Sequence, residues 1–189
     1  MQNMDEQIKI QYREILERFN KIIWTHKIQL CQANIYLEEK KHQNKIMSIL
    51  STLVSASAIT NFAKLVSEEY IVPVVAVLSI LLTYCTYKYK SENLDKKAAE
   101  NERFASILHN LRNKYAGLLS DIKAGLYNKD EISKRRIQLE ELEDIIYSGL
   151  VPYTSSKAVD AATIAIKDKQ ESTTTDEEIE KIVSSNLQL

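Results

Sequence analysis

The sequence predicts an all-α protein: a two-transmembrane helical hairpin with a long cytosolic helical stalk and short C-terminal helices. Three observations carry this. Residues 46–63 and 70–87 hold no charged side chain. Around them apolar residues recur by threes and fours, the period of one helix face, and no segment alternates as a strand does. Gly occurs 3 times and Pro 2 times in 189 residues, so turns are scarce and long helices are favoured.

The first stalk helix is expected over 5–45. Ile8, Tyr12, Ile15, Leu16, Phe19, Ile22, Ile23, Leu30, Ala33 and Leu37 form one apolar stripe through a segment without Gly or Pro. It runs into the first spanning helix, 46–63. Each charge-free run is 18 residues, about 27 Å as a helix, close to the roughly 30 Å of a bilayer core. The second run, 70–87, has nine aliphatic residues between Ile71 and Leu82, worth roughly −3 to −5 kcal/mol on the insertion scale, and is expected to insert unaided. The first is weaker, because Ser, Thr and Asn61 offset its apolar gain; it is expected to insert as one arm of the hairpin.

The flanks fit this topology. Lys40, Lys41 and Lys45 precede the first run, Lys88 and Lys90 follow the second, and the link 64–69 carries Lys64 against Glu68 and Glu69. The positive-inside rule puts both termini in the cytoplasm, in a multi-pass protein of the bacterial inner membrane. The five lysines are also candidate contacts for anionic lipid, about 1 kcal/mol each. Tyr70, Tyr84, Tyr87 and Tyr89 stand at the interfaces, and Pro73 falls in the first turn of a helix begun at 70.

Ser48, Thr52, Ala56 and Thr60 are spaced by four, with Ser51 and Ser55 beside them and Asn61 at the end. In lipid, small residues and hydroxyls of this kind hold helices together. The stripe is therefore a candidate helix contact or pore lining: it meets the other arm, another subunit, or a lumen of weak selectivity.

Past the membrane the stalk returns over 88–127, with Leu94, Ala98, Ala105, Leu108, Leu111, Tyr115, Leu118, Leu119, Ile122 and Leu126 as its stripe, and breaks at Gly125. Asn128 with Glu131 gives an N-terminal cap signal for a helix over 130–148 that stops at Gly149. After Pro152, Ser155 or Ser156 caps a short helix, 155–167. Residues 168–189 read as a linker and a last marginal helix, begun by the Thr175/Glu178 spacing.

Catalytic chemistry is not expected. His26, His42 and His109 are scattered, and Cys31 and Cys85 form no CxxC or Cys/His cluster, which argues against a metal and for packed thiols. No glycine-rich phosphate loop occurs, no cofactor is expected, and a net charge of −1 gives no basic field for nucleic acid. Lys134, Arg135 and Arg136 are the sharpest basic spot away from the membrane, read as a solvated helix face or a meeting point for an anion.

Trp24, His26 and Lys27, in "IIWTHKIQLCQANIY", stand about 20 residues ahead of the first run on the cytosolic helix. This Trp-x-His-Lys element, followed by a basic stretch, a Ser-rich spanning helix, a short link, a second spanning helix and a long helical region, resembles the SLATT family over roughly residues 15–167. "SGLVPYTSSKAVDAATIAI", 148–166, resembles the Pro-led short helix near the end of such domains. The resemblance implies a two-transmembrane effector of bacterial anti-phage systems, found beside nucleotide-signalling enzymes, nucleotide sensors or reverse transcriptases. It would form pores in, or disrupt, the membrane, leading to growth arrest or death of the infected cell (abortive infection).

On a continuous helix Trp24 lies about 33 Å from Ile46, too deep for an interfacial anchor, and reads as a packing anchor or a ligand contact. His26 shares the apolar side with Ile22, Ile23 and Leu30, and reads as a satisfied half-buried imidazole, a proton switch or a ligand contact. Lys27 reads as a solvated charge or an ion-pair partner of the returning helix. The functional expectation is a homo-oligomeric, non-enzymatic membrane effector whose partners are lipids and an upstream nucleotide-signalling or reverse-transcriptase protein. The alternatives are a non-conducting tether that recruits a soluble partner through its stalk, and a soluble helical bundle.

Overall fold

A computed structural model describes residues 6–62 and 67–168. All elements in them are helical: α1 Glu6–Phe62, α2 Glu68–Glu92, α3 Leu94–Lys123, α4 Lys129–Ser148, α5 Ser156–Thr163, and a π-helical turn Ile164–Asp168. The expected helix near 176–187, its linker and Ala63 lie outside the described residues.

The long α1 follows from the absence of any Gly or Pro in its 57 residues. Where the returning stalk was expected to be unbroken, Asn93 takes the left-handed conformation, φ 49°, ψ 47°, and separates α2 from α3. Asn tolerates that region better than other side-chain-bearing residues, and its carbonyl accepts from Lys97 N at 3.2 Å, so α3 starts without a loop. Pro73 also departs from expectation. Because α2 begins at Glu68, the proline sits in the second turn, where its missing N–H leaves the Glu69 carbonyl without its intrahelical donor.

The end of α3 is set by Gly125 at φ 70°. Leu126 N donates to Asp121 O at 3.1 Å and Gly125 N to Ile122 O at 3.0 Å, the paired bonds that close a helix on a left-handed residue. Asn128 then caps α4 reciprocally with Glu131: Asn128 Oδ1 accepts from Asp130 N and Glu131 N at 3.0 Å, and Glu131 Oε2 accepts from Asn128 N at 2.9 Å. Ser155 is the residue that caps α5, with Ala158 N donating to its hydroxyl at 3.3 Å.

The chain divides into two compact units, one of residues 34–98 and one combining the segments before 34 and after 98. In the latter, α1 contributes Ile15, Phe19, Ile22 and Ile23, α3 contributes Leu108, Leu111, Tyr115 and Leu119, and α4 contributes Ile132 to one buried cluster. α4 runs parallel to α1 at a near-constant sequence offset: Arg136 pairs with Glu14, Arg18 Nε with Glu140 at 3.1 Å and Arg18 Nη1 with Glu143 at 3.3 Å. Further along the same edge, Gln29 Nε2 reaches Pro152 O at 3.5 Å, and Gln32 Oε1 accepts from both Ser155 N and its hydroxyl at 2.7 Å.

Candidate functional site

The unit 34–98 is an antiparallel helix pair. Lys97 Nζ stands 5.9 Å from the Tyr36 ring centroid, Lys40 Nζ pairs with Asp95 at 2.8 Å, Gln43 Nε2 donates to Glu92, and Thr86 Oγ1 approaches Met47 Sδ at 3.9 Å. Along α2 the half-buried positions Ile71, Val75, Leu78, Leu82, Cys85, Tyr89 and Glu92 alternate by four and three. On α1, buried Gln43 and half-buried Met47, Leu50, Val54 and Ser57 do the same. A sustained 4-3 spacing is the seam of two helices packed side by side.

That seam decides which face of α1 the arms use. Ser48, Ser51, Thr52, Ser55 and Ala56 are all exposed, Ser48 and Thr52 opposite the Leu50 and Val54 side and Ser51 on its flank, and the stripe reaches half-buried Thr60 at its end. The stripe is not the contact within the hairpin. Its threonines satisfy their own donors: Thr52 Oγ1 bonds Ser48 O at 2.8 Å and Thr60 Oγ1 bonds Ala56 O at 2.9 Å. Ser57, on the seam, bonds Leu53 O at 2.8 Å. Each hydroxyl keeps acceptor lone pairs for a neighbour. The side chain of Asn61 lies outside the described residues.

The outer face of α2 is different in kind. Val72, Val74, Val77, Ile80 and Leu81 are between 45% and 69% exposed. Among the described residues, one helical stretch is long and apolar enough to cross a membrane: the one beginning at Glu69, with a mean hydropathy of 1.9 in its most apolar window, none of it buried. Of the lysines expected at lipid, Lys40 and Lys41 pair with Asp95 and Glu38, while Lys45, Lys88 and Lys90 are exposed. Such surface pairs are worth at most about 1 kcal/mol and exchange readily.

In the other unit, α1 presents the Trp-x-His-Lys element. All three side chains are half-buried, but a rotation of 100° per residue sets Trp24 about 160° around the helix from His26. The element does not act as one face. His26 meets His109 of α3, ring centroids 5.8 Å apart at 43°. Burial, then Arg112, His109 and Lys27, push the His26 imidazole down to about 4. That shift favours the neutral imidazole at physiological pH.

The usual His value is 6.5, so between about pH 6.5 and 4 the unfolded chain takes up a proton that the folded chain resists, and stability falls as pH drops through that window. In thermal unfolding followed by circular dichroism, His26→Gln is expected to flatten the part of the pH 6.5-to-4 decline that the parent protein shows beyond its carboxylates.

The basic spot at 134–136 is largely consumed by the fold. Arg136 pairs with Glu14 and lies 3.9 Å from Glu140, and the Arg135 guanidinium stacks 4.1 Å from the Tyr127 ring centroid. Sequence reasoning missed the network at Tyr115, whose buried hydroxyl donates to Glu143 Oε2 at 2.8 Å beside Arg18. Burial and this carboxylate raise the phenol above its usual value. Cys31 and Cys85 are not joined in a disulfide, and among the described residues no three His, Cys, Asp or Glu side chains gather to hold a metal ion.

A profile of the SMODS and SLOG-associating 2TM effector domain family 4 matches residues 12–178, most of the chain. The chain belongs to this SLATT family. No curated relative and no solved structure matches it. The family description names a two-transmembrane architecture, an effector role and association with SMODS and SLOG domains. SLATT domains are membrane effector domains rather than an enzyme family, and the long apolar α2 of this member is compatible with a membrane location.

Proposed function

We propose that this SLATT protein is a membrane effector of a bacterial anti-phage defence system. Its α1 and α2 arms cross the inner membrane with both termini in the cytoplasm. On an upstream signal, nucleotide-linked in keeping with the SMODS and SLOG association of its family, copies assemble through the Ser/Thr face of α1 and breach the membrane, arresting or killing the cell. The signal must favour the assembled state over the unassembled one, since equal affinity shifts no equilibrium.

The observation that carries this reading is the division of α1 into two faces. The 4-3 seam is taken up by α2, which leaves the hydroxyl-bearing stripe exposed together with Ile49, Leu53 and Ile59. In lipid, large apolar side chains such as those outside α2 have no reason to leave the acyl chains, whereas small residues gain by close packing with another helix. The internally satisfied threonines remove most of the cost of facing lipid before assembly.

The test uses induced expression and a membrane-potential dye. Wild type is expected to collapse the potential, and Thr52→Leu with Ser55→Leu to preserve it while remaining in the membrane fraction. Leucine favours insertion by roughly 0.5 kcal/mol per residue, so the variant does not lose activity by failing to insert. A potential unchanged by both proteins replaces the effector with the tether. Release of wild type without detergent removes the membrane reading altogether.

A further inference from the structure

A cluster of basic side chains lies on one side of the helical core formed before residue 34 and after residue 98. Between Arg18 and Leu37 of α1 there is no carboxylate, and between Arg103 and Ser120 of α3 there is none either. These stretches face each other through His26 and His109. Lys27 lies one residue on from His26, and Arg112 stands one turn along α3 from His109.

Arg112 is the unusual member. It is half-buried, burial disfavours its charge, and among the described residues no ion pair engages it. Taking a guanidinium out of water without a counter-ion costs free energy that an ordinary structural arginine recovers from a carboxylate. Arg18 in the same bundle shows the ordinary case, held by Glu140 and Glu143. Those α4 carboxylates are committed to Arg18 and Tyr115, and Glu141, Asp144 and the α5 residue Asp160 are exposed. At the edge of the cluster His109 is itself exposed, with the Asn113 amide 3.2 Å from its Nε2.

We infer that His26, Lys27, His109 and Arg112 form a binding site for a phosphate oxyanion, with Arg112 as the bidentate donor and the exposed His109 as the entrance. The planar fork of arginine matches two oxygens of a tetrahedral anion, and imidazole and ammonium groups add donors around it. The anion supplies the missing counter-ion, so the cluster is stabilised when loaded. The site does not depend on the membrane reading above. A terminal phosphate of a soluble molecule and a lipid phosphate share the required chemistry.

The experiment uses the full chain in phosphatidylcholine nanodiscs, titrated with inorganic pyrophosphate at constant ionic strength and followed by thermal unfolding and by the NMR titration of the histidine rings. Pyrophosphate is expected to raise the melting temperature and to raise the pKa of His26. Arg112→Gln is expected to weaken the response by about tenfold or more, yet to melt no lower than wild type without pyrophosphate, because it removes a cation that no carboxylate of the described residues pairs. A purely structural arginine gives the reverse. His109→Gln, at an exposed position, is expected to weaken the response without affecting the fold, and serves if the arginine variant does not fold. Phosphatidylglycerol nanodiscs that reproduce the shift and leave pyrophosphate without effect assign the phosphate to a lipid headgroup. The inference is overturned if neither phosphate source shifts melting or His26, if Arg112→Gln and His109→Gln respond as wild type does, or if polyglutamate alone stabilises the protein, which would make the cluster a docking surface for an acidic protein.

Discussion

Replacing Val77 and Ile80 together by lysine is expected to strip the protein from the membrane. Both stand near the middle of the charge-free run 70–87, and in the isolated chain they are 57% and 69% exposed on the outer face of α2. Were that face in water, lysine at two exposed helix positions would change stability by roughly 0.5 kcal/mol or less each. In a bilayer core each lysine costs about 2.5 to 3.5 kcal/mol, and the pair outweighs the roughly −3 to −5 kcal/mol that the aliphatic residues of the run supply. The two environments therefore predict opposite outcomes from one substitution. Alkaline carbonate extraction reads the difference: wild type stays with the pellet and the double variant moves to the supernatant or is degraded. Retention of the variant in the pellet, or recovery of wild type in the soluble fraction, would show that α2 does not face lipid.

The helices were legible because each rests on local chemistry. A 57-residue stretch without Gly or Pro gives α1, Asn128 with Glu131 gives the start of α4, and Gly125 gives the end of α3. Asn93 escaped notice because its left-handed turn is one residue long, and the apolar period continues on both sides of it through Tyr89 and Leu94. The stripe of hydroxyls was visible as a pattern, but its orientation was not. Two faces of α1 repeat at helical spacing, and contacts distant in sequence, such as Gln43 with Glu92 and Met47 with Thr86, fix which of them α2 occupies. Long-range polar contacts were equally hidden. Nothing near Gln32 announces Ser155, and nothing near His26 announces His109, because the offsets are set by how α1, α3 and α4 stack. The solvated face expected at 134–136 holds for exposed Lys134 and Arg135, while the partners Tyr127 and Glu14 that reach Arg135 and Arg136 come from other turns and helices and left no local signal.

Phe19→Ala is expected to give the largest loss of folding stability of any single truncation in the bundle, about 3 to 5 kcal/mol. Phe19 is 0% exposed within a cluster that also holds Ile15, Ile22, Ile23, Leu108, Leu111, Tyr115 and Leu119. Truncation removes an aromatic ring from a site enclosed by α1 and α3, and neighbours fixed on long helices cannot close the space. Against a typical total of about 5 to 15 kcal/mol, that loss is enough to populate the open form of this unit. The pair formed by residues 34–98 has its own contacts, from Tyr36 with Lys97 to Met47 with Thr86, none of which involves the Phe19 cluster. The variant is thus expected to remain in the membrane fraction while its urea midpoint falls and segments around residues 19 and 115 become open to protease. On the proposed function a signal acting on this unit reaches the membrane only through folded structure, so the same variant is expected to leave the membrane potential intact on induction. A variant that still collapses the potential would mean that the hairpin alone is the toxic part and that the bundle restrains it.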